Sequence, residues 1–228
     1  MARVRERDVT SLPVVKQPAL FLPELQSRTN DKRRLVLALD LGTKTGFSAT
    51  LVDASGALDT KKLSIYQGQL DLRLNDYETR AVHALRLRNF LQAVAPDLVV
   101  VEDVKYTAQK EFGSVAAACA RVYGTAEFFG GLKQAVADWG ECAGVPVIFV
   151  PIGRIKQRAT GRGRANKLDI IRAHNKEFGT TFDEATAESQ GLDNVADSGF
   201  ILMVGLEENW YGLQAAQAAG IADNNKDT

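Results

Sequence analysis

Leu35-Val-Leu-Ala-Leu-Asp40-Leu-Gly42-Thr-Lys-Thr45-Gly46-Phe-Ser-Ala-Thr-Leu-Val52 is the stretch that decides the fold. An unbroken apolar run ends in Asp40, a Gly/Thr-rich turn follows, and a second apolar run returns. The pattern predicts a buried strand, a tight turn and an antiparallel partner strand. Asp40 then stands where a strand leaves the core, fixed by the scaffold with its oxygens accessible. Gly42 and Gly46 permit a tight backbone path and close approach of another group. Taken alone, Asp40 reads equally well as a turn-capping aspartate. The rest of the chain decides between these roles.

At 228 residues with a formal net charge of zero, the chain suits one domain of generous size with tails. No global basic character advertises a nucleic-acid partner, so the local distribution of charge matters more than its sum. Cys119 and Cys142 are far apart, in no metal-binding spacing, and are expected to be reduced, buried thiols. No apolar run is long enough to span a membrane. Arg3, Arg5 and Arg7 precede no apolar segment of the secretory kind, and a cytoplasmic setting is expected. Residues 1–33 carry Pro13, Pro18 and Pro23 and no sustained period, which predicts an N-terminal arm.

Beyond the opening hairpin, Lys62–Gln67 reads as a third strand. Asp76–Ala95 places Val82, Leu85, Phe90 and Leu91 at helical spacing, and Pro96 stops it. Asp97-Leu-Val-Val-Val-Glu102-Asp103 is a strand buried on both faces that delivers acids at its end. Ser114 to Cys142 is a small-residue helix. Pro146–Pro151 is a fifth strand, Gly153–Arg164 a basic loop, Asn166–Phe178 a helix, and Leu192–Leu206 a final apolar helix. The sum is an α/β chain: a mixed five-stranded sheet flanked by helices, a single domain over 34–208, with a loose tail over 209–228.

Three elements deliver carboxylates: Asp40, Glu102, and the pair Asp193 and Asp197 opening the last helix. The pair is spaced i, i+4, on one helical face. Each acid has a plainer role available: Glu102 as a surface acid, Asp193 as a helix cap. Asp197 is harder to dismiss, because it interrupts an apolar face. Clustered like charges raise one another's pKa unless cations compensate. Hard divalent ions such as Mg²⁺ or Mn²⁺ take all-oxygen sites. Two such ions about 4 Å apart promote in-line phosphoryl displacement. The segment Pro151–Lys167 holds Arg154, Lys156, Arg158, Arg162, Arg164 and Lys167 and no acid. Glycines between the cations favour close approach to a phosphate backbone, and the following helix N-terminus attracts anions. Tyr106 is a candidate for stacking on a base, as is Phe112.

These residues together resemble RuvC-type Holliday junction resolvases of the ribonuclease H-like fold. The resemblance rests on Leu39-Asp40-Leu-Gly42-Thr-Lys-Thr-Gly46, Val99-Val-Val-Glu102-Asp, Ile155-Lys156-Gln-Arg-Ala-Thr-Gly161-Arg-Gly-Arg-Ala-Asn-Lys167 and Asp193-Asn-Val-Ala-Asp197, the third being the specific one. It implies a ribonuclease H-like sheet and a homodimeric crossover junction endonuclease that nicks branched DNA, four-way junctions foremost. By the same resemblance Asp40, Glu102, Asp193 and Asp197 hold Mg²⁺, with Mn²⁺ as substitute, while Lys156 and Lys167 approach the cleaved strand. Arg154, Arg158, Arg162, Arg164 and Tyr106 are DNA-contact candidates. The family usually spaces its last acidic pair by three, where this chain has Asn194, and often has proline where Leu41 stands. Either Asp193 or Asn194 then completes the metal site. Two rival readings stay open: the first phosphate loop of the sugar kinase, actin and Hsp70 superfamily, and a junction-binding protein without activity.

Overall fold

The computed structural model describes residues 33–53, 58–60, 63–74, 81–103 and 115–224, of which 115–122 and 210–224 by backbone alone. Residues 1–32, Tyr106, Phe112 and the side chain of Cys119 lie outside that description. Five strands form one sheet: β1 (Arg33–Asp40), β2 (Lys44–Asp53), β3 (Ile65–Asp71), β4 (Leu98–Asp103) and β5 (Val147–Pro151). Their order is β3-β2-β1-β4-β5. The first three form an antiparallel meander, and β4 and β5 run parallel to β1. The helices are α1 (Ala81–Val94), α2 (Val115–Ala143), α3 (Ile152–Thr160), α4 (Lys167–Phe178), α5 (Ala187–Gln190) and α6 (Leu192–Asn224). The expected mixed five-stranded sheet flanked by helices is what this chain builds.

The continuous apolar run of β1 has its explanation in the centre of that sheet. Successive side chains of a strand point to opposite faces, and both faces of β1 are covered. Leu35, Leu37 and Leu39 pack with α1 and α2 through Leu87, Leu91 and Val136. Val36 and Ala38 pack on the other face with Ile171 of α4 and Phe200 and Ile201 of α6. The same alternation sends Val99 and Val101 of β4 toward α1 and α2, and Leu98 and Val100 toward α6. Gly205 lets α6 lie against Val100, since a Cβ there would stand 2.5 Å from its side chain.

Four expectations are corrected. The basic stretch after β5 is helical, not a loop: α3 follows directly on Pro151 and ends at Gly161, whose φ is 74°. Ile155 anchors it in the core, so one buried residue outweighs Gly153 and the dense cations. The last helix runs on from Leu206 to Asn224. Cys142 is exposed, because the end of α2 leaves the core there. The third strand lies three residues later than expected, over Ile65–Asp71.

Candidate active site

Strand alternation aims the first two carboxylates. Leu39 pairs with Val101 in register, so one step on Asp40 and Glu102 leave the sheet side by side. Asp40 follows Val36 and Ala38, and Glu102 follows Leu98 and Val100, toward the face that α6 covers. The turn after Asp40 is locked by one hydroxyl: Thr45 Oγ1 donates to the Gly42 carbonyl (2.8 Å) and accepts from the Gly42 amide (3.2 Å). Leu72 N–H donates to the Thr43 carbonyl, 2.8 Å away, and ties the turn to the end of β3.

The other two carboxylates come from the first turns of α6, and their approach depends on Gly46. A Cβ on Gly46 would stand 2.0 Å from the Asn194 carbonyl oxygen and 2.6 Å from the Val195 nitrogen. Only a bare backbone lets the helix start settle on β2. Gly191, with φ 77°, turns the chain from α5 into α6. Asp40, Glu102, Asp193, Asn194 and Asp197 then line one cavity of about 630 Å³, with Lys156 and Lys167 on its wall. Asp40, Glu102 and Asp193 are 7%, 9% and 5% exposed.

Four acids in one cavity, three of them buried, carry an electrostatic cost, and their protonation shows it. Burial, then repulsion from Asp197 and Glu102, lifts the Asp40 carboxyl well above the ordinary carboxylate range. Burial raises Glu102 as well, offset by its hydrogen bond to Asp40 and the attraction of Lys156. Asp197 is pushed up to about 7 by burial and by the charges of Glu102 and Asp193. Lys167 Nζ donates to Asp193 Oδ2 and Glu188 Oε1, both at 2.9 Å. Partial burial would lower the ammonium, but these two bonds outweigh it and push it up to about 12.

Four carboxylates with no nitrogen or sulfur donor among them fit a hard divalent cation. Among the described residues no three such side chains are already gathered as a ligand set. Asp40 and Glu102 are hydrogen-bonded to each other and Lys167 holds Asp193, so loading requires those contacts to be exchanged.

The cations of the basic segment sort into two groups. Arg154 pairs with Glu208. Arg158 Nε donates to Glu207 Oε1 (2.9 Å) and its Nη2 to Glu177 Oε1 (3.2 Å). Both arginines thus turn to α6 and α4, away from the cavity. Arg162 makes a longer bond to Asp169, 3.4 Å. Lys156, on the opposite side of α3, and Lys167 reach the cavity, and Arg164 is exposed. The N-terminus of α4 is already capped: Asn166 Oδ1 accepts from the Asp169 amide (2.9 Å) and Asp169 Oδ2 from the Asn166 amide (3.2 Å). That capping box satisfies amides that would otherwise bind an anion.

Solved structures similar to this chain include RuvC of Thermus thermophilus, at 20% identity and a TM-score of 0.48, covering 75% of this chain and 96% of that one. The structure of T. thermophilus RuvC in complex with Holliday junction substrate matches at 18% identity and a TM-score of 0.49, with the same coverage. The yeast mitochondrial Holliday junction resolvase Ydc2 matches at 15% identity and a TM-score of 0.46, covering 86% of this chain and 84% of that one. No protein-family model and no curated protein matches this chain.

Some contributors to the site carry little sequence signal of their own. Phe128 and Phe129 line the cavity wall facing the acids, and an aromatic pair within the Ala/Gly-rich α2 was the available clue. Gln69 donates to the carbonyls of Gln190 (3.1 Å) and Gly191 (2.9 Å), and nothing in the sequence of β3 singles it out.

Proposed function

We propose that this chain is a divalent-metal-dependent endonuclease that nicks branched DNA, four-way junctions foremost. The observation that carries the proposal is the meeting of Asp40, Glu102, Asp193 and Asp197 in one cavity walled by Lys156 and Lys167. Acids that hold a hard cation and cations that hold a phosphate belong together in phosphodiester hydrolysis. Asp40, Glu102, Asp193 and Asp197 would hold Mg²⁺ or Mn²⁺, which supplies an activated water and stabilises the departing oxygen.

The chain's own residues do the rest. Lys156 and Lys167 neutralise the scissile phosphate, and Arg164 and Arg162 contact flanking backbone. Phe128 and Phe129 close the far wall and narrow the approach. The ion pairs of Arg154 and Arg158 hold α3 against α6, which keeps Lys156 on the cavity rim. A homodimer would present two cavities to the two strands of a two-fold junction, in the cytoplasm where such DNA occurs. No described helix is long and apolar enough to cross a membrane.

A cleavage panel tests the proposal: four-way, three-way, flap and linear duplex substrates in Mg²⁺ or Mn²⁺. Paired nicks confined to the four-way junction are the expected result. Equal cutting of linear duplex would contradict junction selectivity. Two observations favour a second reading, a junction-binding protein without activity: Asp193 is engaged by Lys167, and no ligand set is preformed among the described residues. Junction binding in both EDTA and Mg²⁺, with no nicks, would select it. An actin-like ATP site needs two paired domains, and the described residues form one sheet.

A further inference from the structure

We infer that Asn194 is a strut, and that with Gln69 and Lys44 it latches the start of α6 to the sheet so that Asp193 stands in the cavity. The inference rests on the nuclease reading and assigns roles that the sequence left undecided. Asn194 Nδ2 lies 2.5 Å from the Lys44 carbonyl. A carbonyl only accepts, so the donor end of the amide must face it. Lys44 in turn reaches back: its Nζ donates to the Ser189 carbonyl at 2.6 Å. Gln69 closes the latch from β3 through its two bonds to Gln190 and Gly191.

Lys44 and Gln69 therefore hold Ser189, Gln190 and Gly191 just before α6 and Asn194 in its first turn, with Leu192 and Asp193 between the last two attachments. Two glycines make room for the arrangement. A Cβ on Gly191 would stand 2.2 Å from Gln69 Nε2, and one on Gly46 would meet the Asn194 backbone. Asn194 also carries no charge, so neutralising a bound cation falls to Asp193 on that side. Partners that orient a ligand usually matter to cation affinity by about 10- to 100-fold, and Gln69 and Asn194 are positioning residues of that kind.

Calorimetric titration of Mn²⁺ into the full-length chain separates strut from ligand, because the two roles give Asn194→Asp opposite signs. As a strut, Asp at 194 sets a carboxylate against the Lys44 carbonyl, breaks the latch and weakens Mn²⁺ binding. As a ligand, it adds a charge and tightens binding. We expect Gln69→Met and Asn194→Asp each to weaken Mn²⁺ about tenfold. Asp193→Asn should weaken it at least as much. Tighter binding by Asn194→Asp, or Gln69→Met within twofold of wild type, overturns the inference. Asp40→Asn run in parallel keeps the two levels apart. If it leaves Mn²⁺ affinity unchanged, the nuclease reading falls too; if it weakens Mn²⁺, a failure of the latch leaves that reading standing. Should Asn194→Asp not fold, Gln69→Met carries the test alone.

Discussion

Gly46→Ala puts one methyl group where β2 meets the start of α6. Its Cβ would lie 2.0 Å from the Asn194 oxygen, 2.2 Å from the Asn194 carbon and 2.6 Å from the Val195 nitrogen. Ordinary separation is about 3.5 Å, so strand and helix must part by roughly 1.5 Å. Both sides are backbone, with no flexible side chain to yield. Overpacking of this kind costs about 1–3 kcal/mol, and the upper end applies here. For a chain of this size that lowers Tm by roughly 6–12 °C. Gly130→Ala is the matched control: it lies in α2 with nothing within 4 Å of its Cβ. There the gain in helix propensity should stabilise by about 0.5–1 kcal/mol. Thermal unfolding of both variants at one pH reads the difference. A Gly46→Ala melting point within about 1 °C of wild type, against the 2–4 °C expected per kcal/mol, would refute the contact.

Asp197 titrates at about 7 in the folded chain and near about 3.9 when unfolded. The folded chain holds that proton more tightly, so stability is lost as pH rises from about 4 through 7. Asp197→Asn removes that loss but still buries a polar amide. It should be about 1–3 kcal/mol more stable than wild type at pH 8 and equal to it near pH 4; a variant less stable at pH 8 contradicts the repulsion. His174 carries the opposite slope. Thr180 Oγ1 donates to Asn175 Oδ1 (2.8 Å), so it must accept from His174 Nδ1–H, and Gln67 Nε2 then donates to Nε2 (2.9 Å). Burial drops this imidazole to about 3, so its contribution is present above the unfolded pKa of about 6.5 and lost as pH falls. At pH 5 the loss is about 2 kcal/mol, and a His174→Gln variant with an unaltered acid slope would exclude it. For DNA binding, Arg164→Ala should reduce the salt slope of junction affinity by about 1. Arg158→Ala should leave that slope alone and lower Tm instead, since its ion pairs to Glu177 and Glu207 are lost; the reverse pattern would show that α3 presents its other face.

The sheet was legible because Leu35–Leu39 of β1 and Leu98–Val101 of β4 are unbroken apolar runs, a pattern that a central strand covered on both sides requires. The same alternation made Asp40 and Glu102 readable, for each ends such a run. Asp197 stood out against an apolar helix face. What was not legible depends on distant partners. Glu207 and Glu208 neutralise Arg158 and Arg154 from about fifty residues away, so a run of cations read as a free phosphate-binding loop is partly a surface ion-pair seam. The helicity of α3 hinges on Ile155 finding a core that local sequence does not reveal. Gln69 works through its reach to Gly191, and Asn194 bonds a Lys44 carbonyl 150 residues away in the chain.

Cleavage of a four-way junction by wild type and by Asp40→Asn, each in Mg²⁺, bears most directly on the central claim. Asp40 is the buried acid at the end of the central strand, touching Glu102 and facing Asp197. The account predicts paired nicks by wild type, none by the variant, and equal binding of the uncut junction by both. Near-normal cleavage by Asp40→Asn would contradict it.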